Sequence, residues 1–263
     1  MKNLFQPYHL VTLSPWPLIT SLNILSMMIS MTMMFNLKSK NLLFLSIILI
    51  ILCSYQWWRD VIRESSFQGF HTPNVMEGLK FGMIMFIISE VFFFISFFWS
   101  YFHMFLSPSI QIGSIWPPMG LKFMLINPYQ LPLLNTIILI SSGMFLTWSH
   151  YAIIKMKFTI AKEMMKLTTY FGMIFTLIQI HEYFEASFSI FMSNYGTTFF
   201  VMTGFHGIHV IIGTIFIIIS YNRMNWLQFS NLHHLGFEAS AWYWHFVDVV
   251  WLFLFLFIYW WPF

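Results

Sequence analysis

Charge is what this chain has least of. Only 8% of its 263 residues are Asp, Glu, Lys or Arg, against 59% hydrophobic, with a mean hydropathy of +0.73. A soluble globular domain carries roughly 25% charged residues, so the chain cannot cover a water-facing surface, and an integral membrane protein is expected. Cysteine is nearly absent as well: the single Cys53 lies in an apolar run. That excludes an internal disulfide and a cysteine-based metal cluster, and leaves Cys53 as a small buried hydrophobe. Alanine is scarce, five residues, while Phe numbers 33 and Met 20. Phe, Ile, Met, Asn and Lys can be written with A/T-rich codons and Ala cannot. The bias fits an A/T-rich organellar genome, and also an A/T-rich bacterium. The opening MKNLFQPYHLVTLSPWPL has neither the basic-then-apolar plan of a secretory leader nor the Arg-rich plan of a transit peptide.

What is present is long apolar segments. A crossing helix needs about 20 of them in a row. Seven candidates occur, at roughly 14–36, 41–58, 77–106, 128–153, 159–184, 193–222 and 234–262. They lack the polar–apolar alternation of barrel strands, and no internal repeat is visible. The reading is an all-α membrane protein, a single integral domain of 1–263, with a break expected in the polar stretch 59–76. With the N-terminus inside, inner segments carry nine Lys and Arg and outer segments three. The positive-inside rule then puts the N-terminus inside and the C-terminus outside.

Polar side chains within these runs are the candidate functional residues. Glu90 sits midway along the third span, and the residues three and four away (Phe86, Ile87, Phe93, Phe94) cannot pair with it. A charge at that depth costs several kcal/mol (about 2.5 to 3.5 on insertion scales) unless paired or hydrated, so the partner is expected from another helix, a water or a lipid headgroup. In the sixth span His206 and His209 are three apart. In the seventh, His245 and Asp248 are three apart, with Asp248 at a depth similar to His206. Antiparallel packing of spans six and seven is expected to bring these pairs together, as interhelical hydrogen bonds or as ligands to a metal or haem. Gly204, Gly207 and Gly213 flatten one stripe of the sixth span, and Thr203 and Gly207 form a small-xxx-small pair, which suggests a close helix crossing. In QIHEYFEAS, His181 and Glu185 mark a solvated helix end. In YQWWRDVIRES, Trp57 and Trp58 suit a headgroup-level aromatic belt. Arg59 is expected to pair toward the turn of Glu64, and Asp60 with Arg63. The tryptophans, Arg63 and His71 together suit anionic phospholipid headgroups.

These motifs, with HTP (71–73), GMIMFIISEVFFF (82–94), FFWSYFH (97–103), WPP (116–118), PLLNT (132–136), TGFHGIHVIIG (203–213) and HHLGFEASAWYWHFVDVVWLFLF (233–255), resemble in order and spacing subunit III of mitochondrial cytochrome c oxidase. The likeness runs from residue 8 to 261. It implies seven transmembrane helices, a two-helix bundle (about 14–58) and a five-helix bundle (about 77–262) separated by a V-shaped cleft filled with phospholipid. It implies a chain of the mitochondrial inner membrane, with its N-terminus in the matrix and its C-terminus in the intermembrane space. The partners implied are subunits I and II, nuclear-encoded small subunits and respiratory supercomplexes, with no nucleic acid. Haem and copper belong to subunits I and II, so no catalytic or metal residue is expected here, and the histidine pairs are read as structural. Glu90 matches a buried family glutamate at the lipid cleft facing subunit I. Trp58, Arg63, His71 and Arg223 match lipid-contacting positions, and subunit III supports proton uptake and stabilises subunit I. Three residues depart from the pattern. Phe70 stands where many members have a second histidine, which puts a two-histidine relay in doubt. His181 replaces a small residue, and Lys80 an arginine, losing the bidentate fork. Two rival classes are a free-standing haem or copper enzyme using His206, His209 and His245, and a proton transporter built around Glu90 and Asp248, without the inverted repeats of transporters.

Overall fold

In the computed structural model of the chain, residues 8–110 and 113–263 are described. Among them are seven α-helices and no strand. They are α1 (Trp16–Leu37), α2 (Asn41–Ser66), α3 (Pro73–Leu106), α4 (Leu131–Ile154), α5 (Phe158–Glu185), α6 (Asn194–Asn225) and α7 (Leu235–Leu254). A π-helical turn, Phe255–Trp260, extends α7. Six of the seven helices are long and apolar enough to cross a membrane. The exception is α5, whose first half carries Lys162, Glu163 and Lys166. It still has 28 residues, about 42 Å of helix at 1.5 Å per residue, and it packs against both α4 and α6.

The second span was expected to stop at 58, yet α2 runs to Ser66. Apolar content ends at the tryptophans, but helix does not. Asp60 pairs with its neighbour Arg59 and, at helical spacing, with Arg63. α6 likewise outlasts its apolar run and ends at Asn225.

The chain divides into two compact units, 1–79 and 80–263. In the first, α1 and α2 form a hairpin turned at Lys38, which takes a left-handed conformation (φ 55°). Pro17 lies in the first turn of α1, where its missing N–H costs nothing. Very little of this hairpin is buried: Ser30 on α1, Ser46 and Cys53 on α2. The two serine hydroxyls meet at 3.4 Å, while each also bonds a carbonyl one turn back. Small residues at this contact let the backbones approach. At the other end Trp16 Nε1 donates to Asp60 Oδ2 at 2.7 Å. Phe70 stacks on the His9 ring with centroids 4.8 Å apart, and His9 Nε2 faces Glu64 Oε2 at 3.3 Å.

The second unit holds nearly all of the core. Its centre is Trp244 of α7, fully buried. Its indole N–H donates to Ser142 Oγ of α4 at 2.9 Å. Its ring fills notches left by Gly172 of α5 and Gly213 of α6, where an added Cβ would lie 2.8 and 2.9 Å from ring atoms. One side chain thus locks four helices. Trp251 repeats the motif one level along, donating to Thr136 of α4 at 3.0 Å and packing on Phe175 of α5 and His206 of α6. The close approach on α6 is therefore at Gly213. The expected Thr203–Gly207 crossing is not formed, because nothing stands within 4 Å of a Cβ built at Gly207. Thr203 instead meets Tyr183 Oη of α5 at 2.6 Å. α3 joins this unit through an aromatic ladder: Phe93 on Phe205, Phe94 on Phe246, and Phe102 on Phe257. Tyr101 Oη donates to the Phe257 carbonyl at 2.8 Å.

Candidate functional site

The acid of the third span has found its partner on another helix. Glu90 Oε2 lies 3.0 Å from His209 Nε2 of α6. The other ring nitrogen, Nδ1, sits 2.7 Å from the Phe205 carbonyl one turn back. A carbonyl only accepts, so Nδ1 carries a proton. A neutral His209 then presents a bare lone pair at Nε2, and two acceptors cannot sit 3.0 Å apart unbridged. One proton must therefore lie between Nε2 and Oε2, as a carboxylic acid donating to imidazole or an imidazolium donating to carboxylate. Rings of Phe93, Phe94, Tyr243 and Phe246 surround the imidazole. The pair is not sealed, since the Glu90 side chain keeps 23% of its surface accessible.

The expected meeting of the two histidine-bearing pairs does not occur. His206 donates from Nε2 to the Val247 carbonyl at 3.2 Å and packs between Trp251 and Phe175. Asp248 turns the other way, toward α4: a Cβ at Gly143 would lie 2.7 Å from Asp248 Oδ2. His245 accompanies it, with Nδ1 at 3.8 Å from Oδ2. On α7 His206 meets the Val247 carbonyl and the Trp251 ring rather than the side chains of His245 and Asp248. The three imidazoles His206, His209 and His245 thus point to three different places.

The remaining candidates are spread along the chain. Trp58 is two-thirds exposed and Trp57 less so. Arg63 is half-exposed, with NH1 3.5 Å from Asp60 Oδ1. Arg59 was expected to reach the turn of Glu64; it pairs with its neighbour Asp60 at 3.1 Å, and Glu64 faces His9. His71 is half-buried just before α3. Arg223 is buried, its guanidinium over the Phe229 ring at 4.5 Å and its Nε donating to Gln228 at 3.2 Å. Cys53 is buried as expected.

Two groups escaped the sequence reading. His181 and Glu185 are exposed, as a solvated end requires, but Glu182 between them is 1% exposed. It accepts from Tyr259 Oη at 2.6 Å, and Gln179 Nε2 stands 3.4 Å away. The signal was available: Gln179 and Glu182 are three apart, facing the opposite way from His181. The second group is His150, His234, Glu238 and Lys80. Lys80 Nζ lies 2.7 Å from Glu238 Oε2, His234 Nε2 3.4 Å from Glu238 Oε1, and His150 Nε2 3.2 Å from His234 Nε2. The four-residue spacing of His234 and Glu238 was legible; the arrival of His150 from α4 was not.

Long apolar helices, a core locked by indole-to-hydroxyl bonds and a carboxyl–imidazole pair inside the apolar region define a multi-pass helical membrane protein. The family model for Cytochrome c oxidase subunit III matches residues 6–263. The chain is 54% identical to Cytochrome c oxidase subunit 3 of Rhipicephalus sanguineus over 98% of its own length and 100% of the relative's. It is 52% identical to that of Locusta migratoria over 97% and 96% of the two chains, and 49% identical to that of Pelomedusa subrufa over 99% of both. The chain belongs to the cytochrome c oxidase subunit III family.

Proposed function

We propose that this chain is the non-redox third subunit of an oxidase that passes electrons from cytochrome c to oxygen and pumps protons. Haem and copper sit in the partner subunits I and II. The chain works in the mitochondrial inner membrane, N-terminus in the matrix and C-terminus in the intermembrane space, as the nine-to-three split of cations favours. It binds subunits I and II, nuclear-encoded small subunits and, through them, respiratory supercomplexes. Its contributions are to stabilise subunit I, support proton uptake and hold phospholipid.

The observation that carries this reading is the Glu90–His209 contact. It keeps one exchangeable proton within the apolar region, on a carboxyl that is partly accessible. With that proton in place the pair is neutral, which removes the cost of a bare charge at this depth. The test is Glu90→Gln in the purified oxidase. Full assembly, with proton pumping lowered or inactivation over repeated turnovers accelerated, is the expected result. Pumping and lifetime equal to the parent would reduce Glu90 to a structural acid.

Phospholipid is assigned to Trp58, Arg63 and His71 in the first unit and to Glu90 and Arg223 in the second. An exposed indole beside a half-exposed guanidinium is a headgroup arrangement. Arg223, fixed against Phe229, offers its remaining N–H groups in one orientation. Lipid extracted from oxidase carrying Arg63→Gln and Arg223→Gln is expected to be poorer in anionic phospholipid. An unchanged lipid complement would remove these two residues from the assignment.

A further inference from the structure

The second unit gathers a histidine–carboxylate cluster that the functions above leave without a task. His150 stands in the last turns of α4, His234 at the residue before α7, Glu238 in the first turn of α7, and Lys80 on α3. One ligand atom from each of His150, His234 and Glu238 falls within 4.8 Å of the others. We propose that these three residues form a binding site for a divalent first-row cation of the zinc type.

Proton bookkeeping at His234 is the first argument. Its Nδ1 faces the Ser230 carbonyl at 3.1 Å, so Nδ1–H is the donor. This is the outer bond that metal-ligating histidines make, and it leaves the Nε2 lone pair free for a metal. That lone pair faces two groups at once: His150 Nε2 at 3.2 Å and Glu238 Oε1 at 3.4 Å. His150 can satisfy one contact by donating its own N–H. The carboxylate oxygen then needs either an imidazolium N–H from His234 or a cation. A cation at the centre of the three satisfies every contact together.

Distances are the second argument. Zinc bonds nitrogen and carboxylate oxygen at about 2.0–2.2 Å in tetrahedral sites, which sets ligand atoms about 3.3–3.5 Å apart. Two of the three separations, 3.2 and 3.4 Å, are close to such edges, and all three ligand atoms lie within 4.8 Å of one another. Two imidazoles and a carboxylate favour zinc over magnesium or calcium, which prefer oxygen alone. Three protein ligands leave a fourth position for water. Lys80 Nζ lies 2.7 Å from the other carboxylate oxygen, a positive charge that opposes the incoming cation.

The experiment uses the purified oxidase containing this chain, washed with chelator and titrated with zinc chloride. Zinc retained per complex is counted by elemental mass spectrometry. The parent is expected to retain about one zinc more than complexes carrying His150→Ala or Glu238→Gln, whose affinity for that ion falls more than about tenfold. Equal retention in parent and variants would overturn the proposal. If those variants fail to assemble, Lys80→Met decides. Removing the opposing cation is expected to tighten zinc binding about two- to fivefold, whereas a hydrogen-bonded cluster with no metal role predicts unchanged or weaker zinc binding, which would overturn the site. These readouts are separate from those of Glu90→Gln, so either conclusion can fail alone.

Discussion

The two units of this chain are built from similar residues and are held together differently. In residues 1–79 two apolar helices touch through a pair of serines and a tryptophan–aspartate bond, and most large side chains face outward. In residues 80–263, Trp244 and Trp251 are buried completely and their N–H groups are spent on hydroxyls of a neighbouring helix. Hydrophobicity does not separate the two, since lipid tails are as apolar as Leu and give helices no reason to associate. Shape and hydrogen bonding do. The second unit has glycine notches matched to indole rings, and so folds around itself. The first offers long apolar surfaces that lipid or partner subunits must cover.

This contrast breaks most sharply at the notches. Gly213→Leu drives a side chain into Trp244 and is expected to cost 3 kcal/mol or about that, with the subunit lost from purified complexes. Gly207→Leu, six residues earlier in open space, should leave subunit retention and thermal stability unchanged. Similar losses from both would mean that α6 is not locked where the notch lies. Next in size is Tyr259→Phe. It strips the buried Glu182 of its 2.6 Å donor and is expected to destabilise the second unit by about 1–3 kcal/mol, read as a lower midpoint for thermal release of the subunit. The smallest effect is expected in the first unit. Asp60→Ala releases Trp16, Arg59 and Arg63 together, yet the site is partly solvated and the cost should be about 1 kcal/mol. A cost for Asp60→Ala above that of Tyr259→Phe would reverse the ranking of the two units.

Much of this was legible from sequence because membrane helices announce themselves by length and apolarity. The candidate acid was equally plain, a lone carboxylate among phenylalanines. What could not be read was direction around each helix. His206 and Asp248 lie at similar depth, but depth says nothing of azimuth, and the two turned to different neighbours. Gly207 and Gly213 look alike as letters; only the indole opposite gives one of them a purpose. The charged end of α2 was cut short because apolarity was used as a proxy for helix, and ion pairs at helical spacing carry a helix past the point where lipid ends. His150 and Glu182 were missed for a related reason. Each is a polar residue on an apparently ordinary stretch, and its role depends on a helix more than 70 residues away.

The shared proton between Glu90 and His209 has one further consequence. Whichever atom holds it, the pair sums to zero charge, so the choice alters a dipole and not a monopole. A full charge crossing the membrane feels about 2.3 kcal/mol for every 100 mV. A proton hopping about 1 Å across a 3.0 Å contact traverses at most a few hundredths of a hydrocarbon layer about 30 Å thick. The transmembrane voltage therefore does almost no work on the exchange. The hop within the pair is voltage-blind, and which of the two atoms holds the proton follows local solvation.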